Sequence, residues 1–304
     1  MPNIIPPYLK KGDSIGIMCP AGYMAKSNVK ACVNFLKSWG YQVRLGKTVG
    51  GTSKNYFSAS DEERLQELQS FLDDPSIKAI LFARGGYGTG KLLDRLDFTR
   101  FQQQPKWLIG FSDITILQTH ILRQFQIVSL HAPMAGAFLE EKYDASSIES
   151  LRQSISGIPN CYYVPSNPFN LYGRTKGVLT GGNLAMLANS IGTDSELDTS
   201  NRILFIEDTG EYLYNLDRML TQLQRAGKFK KLKGAIVGGF TDMKDTIRPF
   251  GKKTYQIIAP YFESLGIPVA YDFPVSHGKE NFSLKSGAGY VFQVSKEGVI
   301  LEEI

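Results

Sequence analysis

Between residues 14 and 130, short apolar runs alternate with segments of helical spacing, and this constrains the chain more than any other feature. The runs at 14–19, 41–45, 77–83, 106–110 and 126–130 read as strands. Between them, Val29, Cys32, Val33 and Leu36 fall on one helical face, as do Leu65, Leu68 and Leu72; 91–96 and 113–125 read as further helices. Ser60-Asp-Glu-Glu63 is a capping box, because the serine and the glutamate three residues on satisfy each other's backbone. The 77–83 run is almost wholly apolar, as expected of a strand covered on both faces. Such alternation implies right-handed crossovers and a parallel sheet with helices on both sides. Sheets of this kind carry their chemistry at the carboxyl ends of the strands. Residues 84–90, Ser112 and His131 fall at such ends.

After Pro133 the alternation lapses. Residues 146–155 look helical, and 160–172 are rich in Pro, Asn and Tyr without periodicity. The expected division is an α/β domain over 1–135, a connection over 136–171 and a mixed α/β domain over 172–304. In the last of these, 202–206 is an apolar strand ending in Glu207-Asp208, and 213–227 is an amphipathic helix. Residues 234–239 read as a buried strand, 254–265 as helical and 267–275 as extended. The runs 289–295 and 299–303, joined by Lys296-Glu-Gly298, predict a hairpin.

The net charge of +5 comes without a basic run, so nucleic acid is not an expected partner. No stretch is long enough to span a bilayer, and 1–12 lacks the apolar core of a signal peptide, so no membrane partner is expected. Cys19, Cys32 and Cys161 are scattered, odd in number and without metal-ligand spacing. They predict a reducing, cytoplasmic setting and no bound metal or other cofactor.

Within 106–115, Lys-Trp-Leu-Ile-Gly-Phe-Ser-Asp-Ile-Thr, an apolar strand breaks at Gly110 and a helix follows Ser112. A serine at a sharp strand-to-helix turn has its hydroxyl lifted above the sheet, with the first helical amides facing the same space. Serine is also a favoured helix cap, so position alone leaves both roles open. Arg84-Gly-Gly-Tyr-Gly-Thr-Gly-Lys91 has part of a phosphate-loop spacing, but Leu92 stands where a magnesium-binding Ser or Thr belongs. The glycines instead suit close backbone approach, with an amide of Gly85 or Gly86 facing a substrate carbonyl. A serine nucleophile needs a base. Of the three histidines, His120 lies two turns beyond Ser112, His131 ends a strand, and His277 sits where a strand breaks at a glycine. The imidazole needs a carboxylate, and Glu207, Asp208 and Glu211 cluster at one strand end with nothing in their spacing to choose between them.

Asp61-Glu-Glu-Arg64, Arg84-Gly-Gly-Tyr-Gly88, Gly110-Phe-Ser-Asp113, Gly181-Gly-Asn-Leu184, Ile206-Glu-Asp-Thr-Gly-Glu211 and Asp217-Arg-Met-Leu220, in this order, resemble the blocks of the serine L,D-carboxypeptidases of murein recycling. The microcin-immunity peptidases are relatives of that family. The resemblance implies a flavodoxin-like or glutamine-amidotransferase-like first domain and a Ser112–Glu207–His277 triad. It also implies oxyanion amides from Gly86 and Asp113, a homodimer, and release of terminal D-alanine from a murein tetrapeptide. Arg84 is the candidate for the substrate carboxylate. The alternative activities are an amidase of the microcin-immunity type acting on aminoacyl-adenylates, a nucleotide hydrolase, and a non-catalytic peptide-binding protein. Ser276, where the family pattern has Gly, and Lys285-Ser-Gly287, where it commonly has a Pro-containing turn, depart from it.

Overall fold

The computed structural model describes residues 3–51 and 54–304; the first two residues of the Pro-rich start and Thr52-Ser53 of the loop expected before Ser60 lie outside them. The first five strands are β1 (Ser14–Met18), β2 (Gln42–Leu45), β3 (Ile77–Phe82), β4 (Trp107–Gly110) and β5 (Ser129–His131). They pair in parallel in the order β5-β4-β3-β1-β2. Ser60 and Glu63 form the reciprocal cap that opens the helix Asp61–Asp73.

Next come β6 (Cys161–Val164), β7 (Gly173–Asn183), β8 (Arg202–Thr209), β9 (Gly234–Thr241) and β10 (Val269–Phe273). Then come β11 (Leu284–Ser286), β12 (Gly289–Val294) and β13 (Val299–Glu303). A second sheet runs β10-β9-β8-β7-β12-β13-β6, parallel from β10 to β7 and antiparallel beyond it, with the expected β12–β13 hairpin in place. β6 is a strand in a stretch without visible periodicity: four residues alternating exposed and buried, paired with β13.

β11 leaves the second sheet and adds antiparallel to β5, with Leu284 opposite His131. Its Lys285 is fully buried, paired with Glu303 and lying over the rings of Tyr8 and Trp107 at 4.7 and 5.8 Å. That occupation accounts for a lysine where the family pattern has a turn. The sheets also meet at the end of β7, where the Asn183 amide donates to Thr115 Oγ1 at 3.2 Å. Thr115 opens the helix that follows Ser112, so the carboxyl ends of β4 and β8 are brought face to face.

Candidate active site

Ser112 begins a single 3-10 turn, Ser112–Ile114, directly after β4, and continues into the helix Thr115–Phe125. Its φ of 63° is left-handed, a conformation that costs a side-chain-bearing residue energy and persists only where the surroundings impose it. Those surroundings are identifiable. Gln118, buried, donates to the carbonyls of Gly110 (3.0 Å) and Leu130 (2.9 Å), tying the helix to the ends of β4 and β5. The buried Asp113 carboxylate accepts from the Thr89 amide at 2.9 Å, tying the glycine-rich loop to the serine turn. A Cβ on Gly85 would lie 3.2 Å from Ser112 Cβ and 3.4 Å from its Oγ, so only glycine lets the loop pack this closely.

From the other sheet, β8 presents Glu207 and Asp208 on opposite faces, as strand alternation requires. Glu207 is completely buried and its Oε2 accepts from His277 Nδ1 at 2.6 Å. Nδ1 therefore carries the proton and Nε2 keeps a free lone pair. Burial opposes the imidazolium, but the hydrogen bond and charge of Glu207 outweigh it and hold the His277 pKa above its ordinary value. Asp208 turns the other way and accepts from the amides of Ala185 and Thr209 and the side chain of Asn183, at 2.8–2.9 Å. Burial and the neighbouring Glu207 push its carboxyl up to about 7. The structure thus separates the three acids: Glu207 holds the imidazole, Asp208 anchors the start of the helix Leu184–Asn189, and Glu211 accepts from Asn215.

The His277 loop closes on itself. Ser276 Oγ donates to the Glu280 carbonyl at 2.9 Å and accepts from the Gly278 amide at 2.9 Å, while the Ser276 amide donates to Asn281 Oδ1 at 3.3 Å. A Cβ on Gly239 would sit 2.6 Å from Ser276 Cβ, so this serine is accommodated because its β9 neighbour is glycine. Phe111, next to Ser112, meets the His277 ring edge-on at 4.8 Å.

Arg84, Gly85, Gly86, Ser112, Asp113 and His277 line one cleft of about 380 Å³ together with Asp208 and Glu211. Among the described residues no hydrogen bond joins Ser112 to the imidazole. Arg84 is exposed and spends one guanidinium N–H on the Tyr23 carbonyl at 2.7 Å, its one hydrogen bond among the described residues. His120 stands apart, bonded to Ser195 at 3.0 Å, and His131 is wholly buried.

Residues 15–132 match the family model described as LD-carboxypeptidase N-terminal domain, and residues 176–291 match the LD-carboxypeptidase C-terminal domain. The chain belongs to the LD-carboxypeptidase family. As a member of that family it is a serine carboxypeptidase. It is 32% identical over 304 residues to a Bacillus subtilis protein named probable murein peptide carboxypeptidase, covering 99% of this chain and 95% of that one. The Escherichia coli microcin C7 self-immunity protein is 27% identical, over 97% of this chain and 94% of its own. The crystal structure of muramoyltetrapeptide carboxypeptidase from Oxalobacter formigenes superposes with a TM-score of 0.85 at 30% identity, over 95% and 98% of the two chains. Among the residues of this LD-carboxypeptidase that no sequence motif marked is Gln118. It is a polar residue at a helix start beside a strand end, and that placement was the available signal.

Proposed function

We propose that this chain releases the terminal D-alanine of murein tetrapeptides by acyl transfer through Ser112. The observation that carries the reading is the short His277–Glu207 bond, offered by one sheet to the same cleft into which the other lifts a strained serine. His277 Nε2 takes the Ser112 proton as Oγ attacks the carbonyl carbon before D-alanine. The tetrahedral oxyanion faces the amides of Asp113 and Gly86, an arrangement worth about 3–4 kcal/mol per donor in comparable sites. Collapse breaks the C–N bond, and the departing amine receives the proton from His277. Water then attacks the acyl-enzyme with His277 again as base, freeing the tripeptide and Ser112. Glu207 keeps its hydrogen bond to Nδ1 throughout, fixing the tautomer and balancing the transient imidazolium. Arg84 receives the free carboxylate of D-alanine, and the work is done in the cytoplasm.

The deciding experiment is mass-spectrometric analysis of a murein tetrapeptide incubated with the wild type and with Ser112→Ala. Tripeptide plus D-alanine from the wild type alone is the expected result; turnover by a folded Ser112→Ala would reject it. Aminoacyl-adenylate analogue in parallel separates the microcin-immunity type of amidase, which would cleave that substrate in preference.

A further inference from the structure

Beneath the catalytic pair, four buried side-chain atoms lack hydrogen-bond partners among the described residues: Glu207 Oε1, both ring nitrogens of His131, and Asn281 Nδ2. Native interiors leave few such atoms, and each calls for an explanation. These four belong to one neighbourhood. His131 ends β5 beside Gly110 of β4 and faces Leu284 of β11, three residues after Asn281. Its ring meets Phe205 edge-on at 5.1 Å, and Phe205 shares a face of β8 with Glu207. The Phe111 ring bridges His131, at 5.7 Å, and His277, at 4.8 Å. Both the charge of Glu207 and the amide of Asn281 act on His131.

Donor and acceptor types limit what can satisfy them. A neutral imidazole has one donor and one acceptor, an amide nitrogen only donates, and a carboxylate oxygen only accepts. None of these four atoms is hydrogen-bonded to another, so Glu207 Oε1, an acceptor, needs a donor that a water held by the ring N–H would supply. We propose that His131 is a positioning residue for the catalytic acid: its ring N–H holds one internal water, which donates to the second oxygen of Glu207. Burial keeps the ring neutral, lowering its pKa to about 4, so this count holds across the working range. The groups facing His131 are Glu207 and His277. Those facing His277 are Glu207 and Asp208 from β8 and Asp242 beyond β9. The inference rests on the reading of Glu207 and His277 as the catalytic pair.

With only three histidines, side-chain 15N NMR of the full-length protein resolves each ring. His131 should show one protonated nitrogen with slow N–H exchange and no titration from about pH 5 to 9. His131→Leu should lower kcat about ten- to a hundredfold at unchanged KM. It should also move the acid limb of kcat/KM to higher pH, because a carboxylate without its second donor holds the imidazolium more tightly. His131→Gln, which keeps a donor and an acceptor, should restore most of the rate and the limb. A His131 ring that titrates or exchanges rapidly, or a His131→Leu enzyme with wild-type kcat and acid limb, would overturn the proposal; if His131→Leu does not fold, the wild-type spectrum decides. Failure of the site reading is seen separately, as turnover by Ser112→Ala.

Discussion

Ser112 and His277 face the same cleft, yet the backbone that carries each is held differently. The serine turn is fixed mostly from within the first sheet: β4 before it, its own helix after it, and Gln118 and Asp113 binding the adjoining loops. The His277 loop closes on itself through Ser276, but its seat comes from far away in the chain. The Asn281 amide donates to Ser147 Oγ at 2.8 Å and the Ser283 amide to Ser150 Oγ at 3.0 Å, before β11 locks onto β5. Ser112 thus sits on a strained local structure, whereas His277 is placed by contacts remote in sequence. The lesson is that a cleft built from two sheets need not depend on two bodies closing: here a strand carries the His277 loop back to the sheet of Ser112.

The difference can be broken most severely at the serine itself. Ser112→Ala should cut kcat about 10⁶-fold in a D-alanine release assay, with the unfolding midpoint little changed. On the opposite wall, Glu207→Gln should lower kcat about 10⁴-fold while His277 stays in place. The same variant gives a pH test. The wild-type His277 pKa is raised, so kcat/KM is lost as pH falls through a value above the ordinary one. Replacing the carboxylate should move that limb to lower pH, visible in whatever activity remains. A limb that does not move would mean that Glu207 does not set the imidazole's proton affinity. Ser150→Ala probes the remote seat, since it leaves the Ser283 amide buried and unpaired, and should cost about 1–3 kcal/mol in denaturant unfolding. Activity should fall with it if the β11 staple positions His277. The smallest change in stability is expected at Ser112→Gly, which relieves the positive φ and should stabilise the protein by about 1 kcal/mol while inactivating it.

The serine turn was legible because its determinants are neighbours in sequence: an apolar run, Gly110, Ser112 and a helical pattern. The choice of Glu207 over Asp208 and Glu211 rested on family resemblance, although strand parity carried part of it. Ile203, Phe205 and Glu207 share a face, and only that face looks toward the first sheet's core. β11 was not legible. Three residues are too short to show a period, and a lysine at its centre reads as surface until Glu303 and the rings of Tyr8 and Trp107 surround it. β6 was hidden for a similar reason: its alternation lasts four residues, and its partner is the end of the chain's last hairpin. His131 could be placed at a strand end but not inside, because its burial is created by Phe205 and Leu284, both from the other half.

The return of β11 also sets a schedule for biosynthesis. The five parallel strands are all translated before residue 132, yet the free edge of β5 acquires its neighbour only when residues 284–286 have emerged from the ribosome. Until then a nascent chain bears an uncovered strand edge, the kind of surface on which chains pair wrongly with one another. A gene cut between the two sheets would accordingly yield a first product with that edge open, and co-expression of the missing half in trans should be needed to keep it in solution.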